Sequence, residues 1–211
     1  MTERSSYHHG NLREALLAAG LDATRSAGVA GLALRDLARR VGVSPNAAYR
    51  HFADRESLLG EVARRLQGDV AARMDAELED ALASARPGGS PERAALRAVG
   101  LGYIDYALEE PGWFEVAFAD TPPRDPWHLV EEPGPELLPP PLARLVTALD
   151  GLVASGELAP GRRAGAEWPC WSAVHGFALL VLQGPLRAMP VHEQRRAAEQ
   201  TVDAIVAGVL A

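Results

Sequence analysis

The chain has 211 residues, 47% of them hydrophobic, with a formal net charge of -7. That length and apolar content exclude wholesale disorder and allow one or two domains with a real core. The one cysteine, Cys170, excludes an intrachain disulfide, and the lack of an uncharged apolar run of about 18 residues or of a signal-peptide core points to a soluble, cytoplasmic protein with no membrane partner.

In chain order, Asn11 to Ala27 carries Leu12, Ala15, Leu16, Ala19 and Ala23 at helical spacing and predicts a first helix. The stretch LRDLARRVGVSPNAAYRHF, Leu34 to Phe52, predicts two short helices joined by a tight turn. In the first, Leu37, Ala38 and Val41 share an apolar face. Gly42 suits a C-terminal cap, after which Ser44 offers an N-cap oxygen and Pro45 a preset first turn. In the second, Ala48 and Phe52 are spaced to face inward, leaving Pro45, Asn46, Ala47, Tyr49, Arg50 and His51 for solvent or a partner. Asp54 is placed to cap a fourth helix with Leu58, Leu59, Val62 and Leu66 on its apolar side, running to about Ala85 and broken by ARPGGSP. Further helices are expected over Pro91 to Glu109, Trp113 to Ala119, Leu142 to Val153, Glu167 to Leu182 and Glu193 to Leu210. The span from Thr121 to Pro141, with eight prolines, reads as a long irregular connection. No segment has strand alternation, so the expected fold is all-α: a three-helix head with a helix-turn-helix over residues 1–60 and a larger helical body over 61–211.

Charge separates the same two parts. Residues 1–65 hold ten arginines against seven acidic residues, and residues 66–211 hold eleven against twenty-one. The positive end is the end with the helical pair, and every basic residue is arginine, whose guanidinium suits both phosphate and guanine.

These residues carry a family resemblance. YHHGNLREALLAAG at the N-terminus, the helical pair and above all YRHFADRESLL at positions 49 to 59 resemble the DNA-binding domain of TetR-family transcriptional regulators, closely over about residues 7 to 62. Trp171, His175 and Gly176 in WSAVHG resemble the motif that names the WHG type of C-terminal domain in that family. Ala33 departs from the pattern, which usually places there a Ser or Thr that caps a helix and touches a phosphate. The resemblance implies base-edge contacts from Arg35, Pro45, Asn46, Ala47 and Arg50, and phosphate contacts from Ser44, Tyr49, His51 and Arg55. Asn46 and Arg50 offer the amide and guanidinium edges that pair with adenine and guanine, and Pro45 and Ala47 suit a thymine methyl.

The resemblance also implies a homodimer on double-stranded DNA with a near-palindromic operator, joined through the last two long helices. The apolar stripes there, Phe177, Leu180 and Val181 on one helix and Val202, Ile205, Val206, Val209 and Leu210 on the other, serve either that interface or the interior. In the body, Trp113, Phe114, Phe118, Trp168, Trp171 and His175 are candidates for lining a small-molecule site, or alternatively for filling the core. A cavity of this kind suits an apolar or aromatic effector of unknown identity, with Glu109, Glu110, Glu115 and Asp120 near its rim. No spacing suggests a metal site, a cofactor or a catalytic set: Cys170 and His175 lie five apart and point to different sides of a helix. The expected function is a sequence-specific regulator, a repressor released by its effector. The alternative is a helical DNA-architectural or adaptor protein with no effector.

Overall fold

The computed structural model describes residues 12–84, 88–119 and 138–211, and every regular element among them is helical. The chain clusters into two compact units. One contains the residues up to Leu66 together with the segment that begins at Glu110; the other contains Gln67–Glu109 and the C-terminal helices.

The head unit starts with α1 (Leu12–Ala27), which buries Leu12, Leu16, Leu17, Gly20 and Thr24 along one side. A 3-10 turn (Gly28–Gly31) leads to α2 (Leu34–Arg40) and α3 (Pro45–Tyr49). The turn between α2 and α3 follows from its sequence. Gly42 takes a φ of 76°, its amide donates to the Arg39 carbonyl, and the Val43 amide donates back to Ala38 at 2.9 Å, so the last carbonyls of α2 are satisfied. Ser44 then accepts from the Ala47 amide with Pro45 in the first turn of α3. Backbone bonds from His51 and Phe52 to Ala48 carry the chain to a buried Phe52.

Helix α4 (Arg55–Ala83) begins at a reciprocal cap in which the Ser57 amide donates to Asp54 Oδ1 at 2.7 Å and the Asp54 amide donates to Ser57 Oγ. It runs from the head unit into the body unit. A break follows, and α5 (Pro91–Glu109) forms the centre of the body, with an unbroken buried stretch from Leu101 to Ala107. It packs against α7 (Pro140–Ala154), α8 (Glu167–Leu182) and α9 (Val191–Leu210). A stretch buried on all sides loses the amphipathic period that marks a surface helix.

Helix α6 (Pro111–Ala117) belongs to the head unit, which a boundary at residue 60 does not capture. It packs on the end of α1, with Gly112 pressed to the backbone: a Cβ there would stand 2.3 Å from the Arg25 carbonyl oxygen. Both α6 and α7 start on prolines, at Pro111 and Pro140, earlier than their apolar periodicity suggests, because the first turn needs no amide hydrogen from those residues. The irregular connection expected over Thr121 to Pro141 falls mostly on residues outside those described, and its last two prolines already belong to α7.

Candidate nucleic-acid interface and body cavity

The outward face of α3 presents Pro45, Asn46, Tyr49 and Arg50 to solvent, while Ala48 is fully buried and Ala47 and His51 are half-buried. Arg35 stands exposed on α2. The electrostatics of the head depend on which arginines are already paired. Arg13 and Arg64 meet Glu61 at 2.9 and 3.0 Å, Arg65 meets Glu14, Arg40 meets Asp22, Arg39 meets Asp36 and Arg25 meets Glu110. Arg35 and Arg50 have no carboxylate partner among the described residues. The unneutralised positive charge of the head therefore sits on the two helices of the pair, beside the exposed amide of Asn46. Ser44 and Tyr49 lie on the same exposed surface, with Tyr49 at 42% exposure.

Arg55 differs from its sequence reading. Its Nε donates to the Leu32 carbonyl at 3.0 Å and its Nη2 to the Val29 carbonyl at 2.5 Å, so the fork expected on a phosphate is engaged with backbone of the α1–α2 turn. An arginine at the start of a helix lies within reach of whatever carbonyls the preceding fold brings to it, and helical spacing says nothing of those.

The body encloses a cavity of about 20 Å³ between α4, α5, α7, α8 and α9, lined by Met74, Leu96, Val99, Tyr103, Leu145, Cys170, Trp171, Val174, Val202, Ile205 and Val206, among others. No charged side chain lines it. The volume suffices for about one water molecule, so the site is nearly closed in this state. Trp171 stands edge-on to Tyr103, with ring centroids 5.2 Å apart, and lies nearly parallel to the His175 ring at 6.3 Å. Tyr103 OH and His175 Nδ1 are 2.8 Å apart. Burial lowers the pKa of His175 and pushes the Tyr103 hydroxyl far up, so both are neutral near pH 7 and the hydroxyl donates to Nδ1 when the imidazole carries its proton on Nε2. Burial also raises the Cys170 thiol to about 11, which leaves it an unreactive part of the wall. Tyr103 is the cavity residue that sequence reasoning did not single out; its place on the apolar side of α5 marks it only as core.

Because His175 has a lower pKa folded than unfolded, its contribution to stability is fully present above about pH 6.5 and is lost as pH falls through the lowered value. The thermal midpoint of the wild type is expected to fall more between pH 7.5 and pH 5 than that of His175→Gln. Equal falls in a pair of melting curves would refute this.

The other aromatic candidates lie elsewhere. Trp113, Phe114 and Phe118 line no part of the cavity and are corrected to the head unit: Trp113 Nε1 donates to the Leu21 carbonyl at 2.8 Å, the Arg25 guanidinium lies 4.8 Å from the Trp113 ring, and Phe114 packs on Phe118 with centroids 4.8 Å apart. Trp168 is 46% exposed and also outside the cavity wall. The acidic rim is not assembled either. Glu109 pairs with Arg73, Glu110 with Arg25 and Glu115 lies against Gly28, while Asp120 is outside the described residues.

The candidate interface stripes divide. Phe177, Val181, Val202 and Val209 are buried within one protomer, and Ile205 and Val206 are half-buried on the cavity wall, so these six are corrected to interior positions. Leu180 is 44% exposed. Helix α8 turns Cys170, Val174, Phe177 and Val181 inward, which leaves Trp168, Ser172, Leu179 and Leu180 on its outer side.

Among the described residues no group of His, Cys, Asp and Glu is arranged to hold a metal, and no helix is long and apolar enough to cross a membrane. A family model described as bacterial regulatory proteins of the tetR family matches residues 16–62, and one described as the tetracyclin repressor-like C-terminal domain matches residues 96–205. No curated protein matches the chain. Among solved structures, a protein of unknown function from Rhodococcus sp. RHA1 is 28% identical, with 99% of this chain and 100% of that one covered and a TM-score of 0.71. A TetR-family transcriptional regulator from Pectobacterium atrosepticum is 18% identical over 98% of each chain, with a TM-score of 0.64. A variant of TetR from Acinetobacter baumannii AYE, solved in complex with minocycline, is 21% identical over 92% of this chain and 93% of that one, with a TM-score of 0.60. The last two likenesses concern the fold. With its helix-turn-helix head and its helical body both matched, and more than half of its length covered by the second model alone, the chain belongs to the TetR family of bacterial regulatory proteins.

Proposed function

We propose that this protein is a sequence-specific transcriptional repressor that binds a near-palindromic operator as a homodimer and is released by an apolar or aromatic small molecule bound in its body. The observation that carries the DNA part is the outer face of α3, where Asn46 and Arg50 stand exposed and Arg50 is left unpaired while neighbouring arginines are neutralised. Arg35, Pro45, Asn46, Ala47 and Arg50 are proposed to read base edges, with Ser44, Tyr49 and His51 on phosphates. One α3 helix spans only a few base pairs, so two copies give the operator its length and symmetry. The dimer contact is proposed on the outer side of α8, through Trp168, Leu179 and Leu180. Gly176 lies on that side, where an added Cβ would meet nothing within 4 Å in the protomer, and Ala204 and Gly208 on α9 are exposed and small. A dimer seated on an operator represses by exclusion alone.

The effector site is proposed at the cavity walled by Tyr103, Trp171 and Val174, in a body of the WHG type marked by Trp171, His175 and Gly176. An uncharged wall favours a neutral apolar ligand, since an ion would lose its hydration with no counter-charge in return. A drug-sized molecule needs several hundred cubic ångströms, so binding must open the cavity, and that opening is the conformational change the ligand selects. Two stretches of chain lead from the cavity to the head: α4, which contributes Met74, and α5, which is separated from α6 by the single residue Glu110. Selection of bound duplexes from a random pool by the purified protein tests the reading. One enriched near-palindrome is expected, and broad, salt-sensitive binding without preference would replace the repressor with a DNA-architectural protein.

A further inference from the structure

Three helix starts follow one another in the head, and they are held in two ways. Ser44 caps α3 and Asp54 caps α4 through their own side-chain oxygens. At α2 the cap position is Ala33, which has no side-chain oxygen to offer and makes no side-chain cap bond. The turn that delivers the chain to Ala33 is instead gripped from outside. Arg55 donates Nε to the Leu32 carbonyl at 3.0 Å and Nη2 to the Val29 carbonyl at 2.5 Å, and it is itself anchored as the first residue of α4, beside the Asp54 cap.

We propose that Arg55 is a positioning residue for DNA recognition, which ties the α1–α2 turn to the start of α4 and so sets the placement of α2 and of the α3 helix packed on it, and that it is not a phosphate ligand. The inference rests on the DNA-binding reading of α3 for its functional meaning, while the grip itself is a property of the folded head. Two N–H groups of a rigid planar guanidinium meet two carbonyls in the same turn; an ammonium is a single point of charge on a flexible stem and cannot hold both in that geometry. Leu32 is fully buried and α2 contacts both α1 and α3, so a turn freed at Leu32 releases the helix that carries Arg35 and supports Arg50.

The two roles predict opposite behaviour for the conservative variant. Arg55→Lys keeps the charge that a phosphate needs and loses the fork, whereas Arg55→Gln loses both. The test uses the full chain, amide hydrogen exchange resolved over Leu37 to Arg40, and titrations of a fluorescein-labelled 30-base-pair duplex of random sequence at several salt concentrations. Positioning predicts that both variants exchange roughly tenfold faster at those amides and melt about 3 °C lower. It also predicts that Ala33→Thr, which supplies the missing cap, restores much of the protection in either background. The slope of log affinity against log salt should be the same for the two variants. Wild-type exchange in Arg55→Lys, no recovery with Ala33→Thr, or a slope smaller in Arg55→Gln than in Arg55→Lys by about 0.9, the signature of one lost phosphate contact, would each overturn the assignment. Failure of the wild type to bind the duplex would count against the DNA reading alone, since exchange decides the grip without DNA.

Discussion

Phe114→Ala is expected to destabilise the head by about 3–5 kcal/mol, the cost of removing a fully buried phenyl group and leaving a cavity. The ring is 1% exposed and stacks obliquely on Phe118 in a helix that is docked on α1 through several specific contacts: Trp113 donating to the Leu21 carbonyl, Arg25 over the Trp113 ring and paired with Glu110, and Gly112 against the Arg25 carbonyl. A loss of this size is a large part of the whole stability of a small unit. Because the chain has two units, one unfolding transition cannot be assumed, and hydrogen exchange resolved by segment is the proper measurement. Amides of α1 and α6 should lose protection while those of α5 and α8 keep it. Loss confined to α5 and α8 would return Phe114 to the body cavity, where its position among the aromatic residues of the sequence first suggests it.

Arg50→Ala should cost about 1–3 kcal/mol at each half-site through the lost bidentate contact to a base. A two-fold dimer suffers the change twice, so the selected operator should be bound roughly 30-fold to 10,000-fold more weakly. Binding to random duplex should change far less, because one cation among several is removed. His51→Ala, on the half-buried side of the same turn, is expected to weaken operator and random duplex to a similar degree, as a phosphate contact does. A competition titration compares the four affinities directly. Arg50→Ala losing the same factor on both duplexes would end the division of roles between bases and phosphates, and would move Arg50 to the backbone.

The helix-turn-helix was legible because its information is local. Gly42 at positive φ, the Val43 return bond, the Ser44 cap and Pro45 in the first turn all act within four or five residues of one another, so residue type and spacing determine them. The Asp54 cap, the inward Phe52 and the all-helical class follow in the same way. Trp171 and His175, four apart on α8, share a side for the same reason and do stack.

What periodicity could not supply was the side of a helix that faces another chain, or the distant segment that a side chain meets. Helix α8 is apolar nearly all round, so its sequence allows either side to be buried; only packing against α5 and α9 shows that Phe177 and Val181 point in and Leu180 points out. Trp113, Phe114 and Phe118 sit near the body helices in sequence, yet α6 is held by α1, some ninety residues upstream, through a glycine that allows backbone contact. Tyr103 became a partner of His175 across 72 residues, and Arg55 reached carbonyls 23 and 26 residues before it. The sequence by itself therefore determined the helices, their caps and the DNA-reading pair, all set by interactions within a turn or two; the tertiary structure decided the cavity wall, the outward side of α8 and the grip of Arg55, because each depends on groups that only the folded chain brings together.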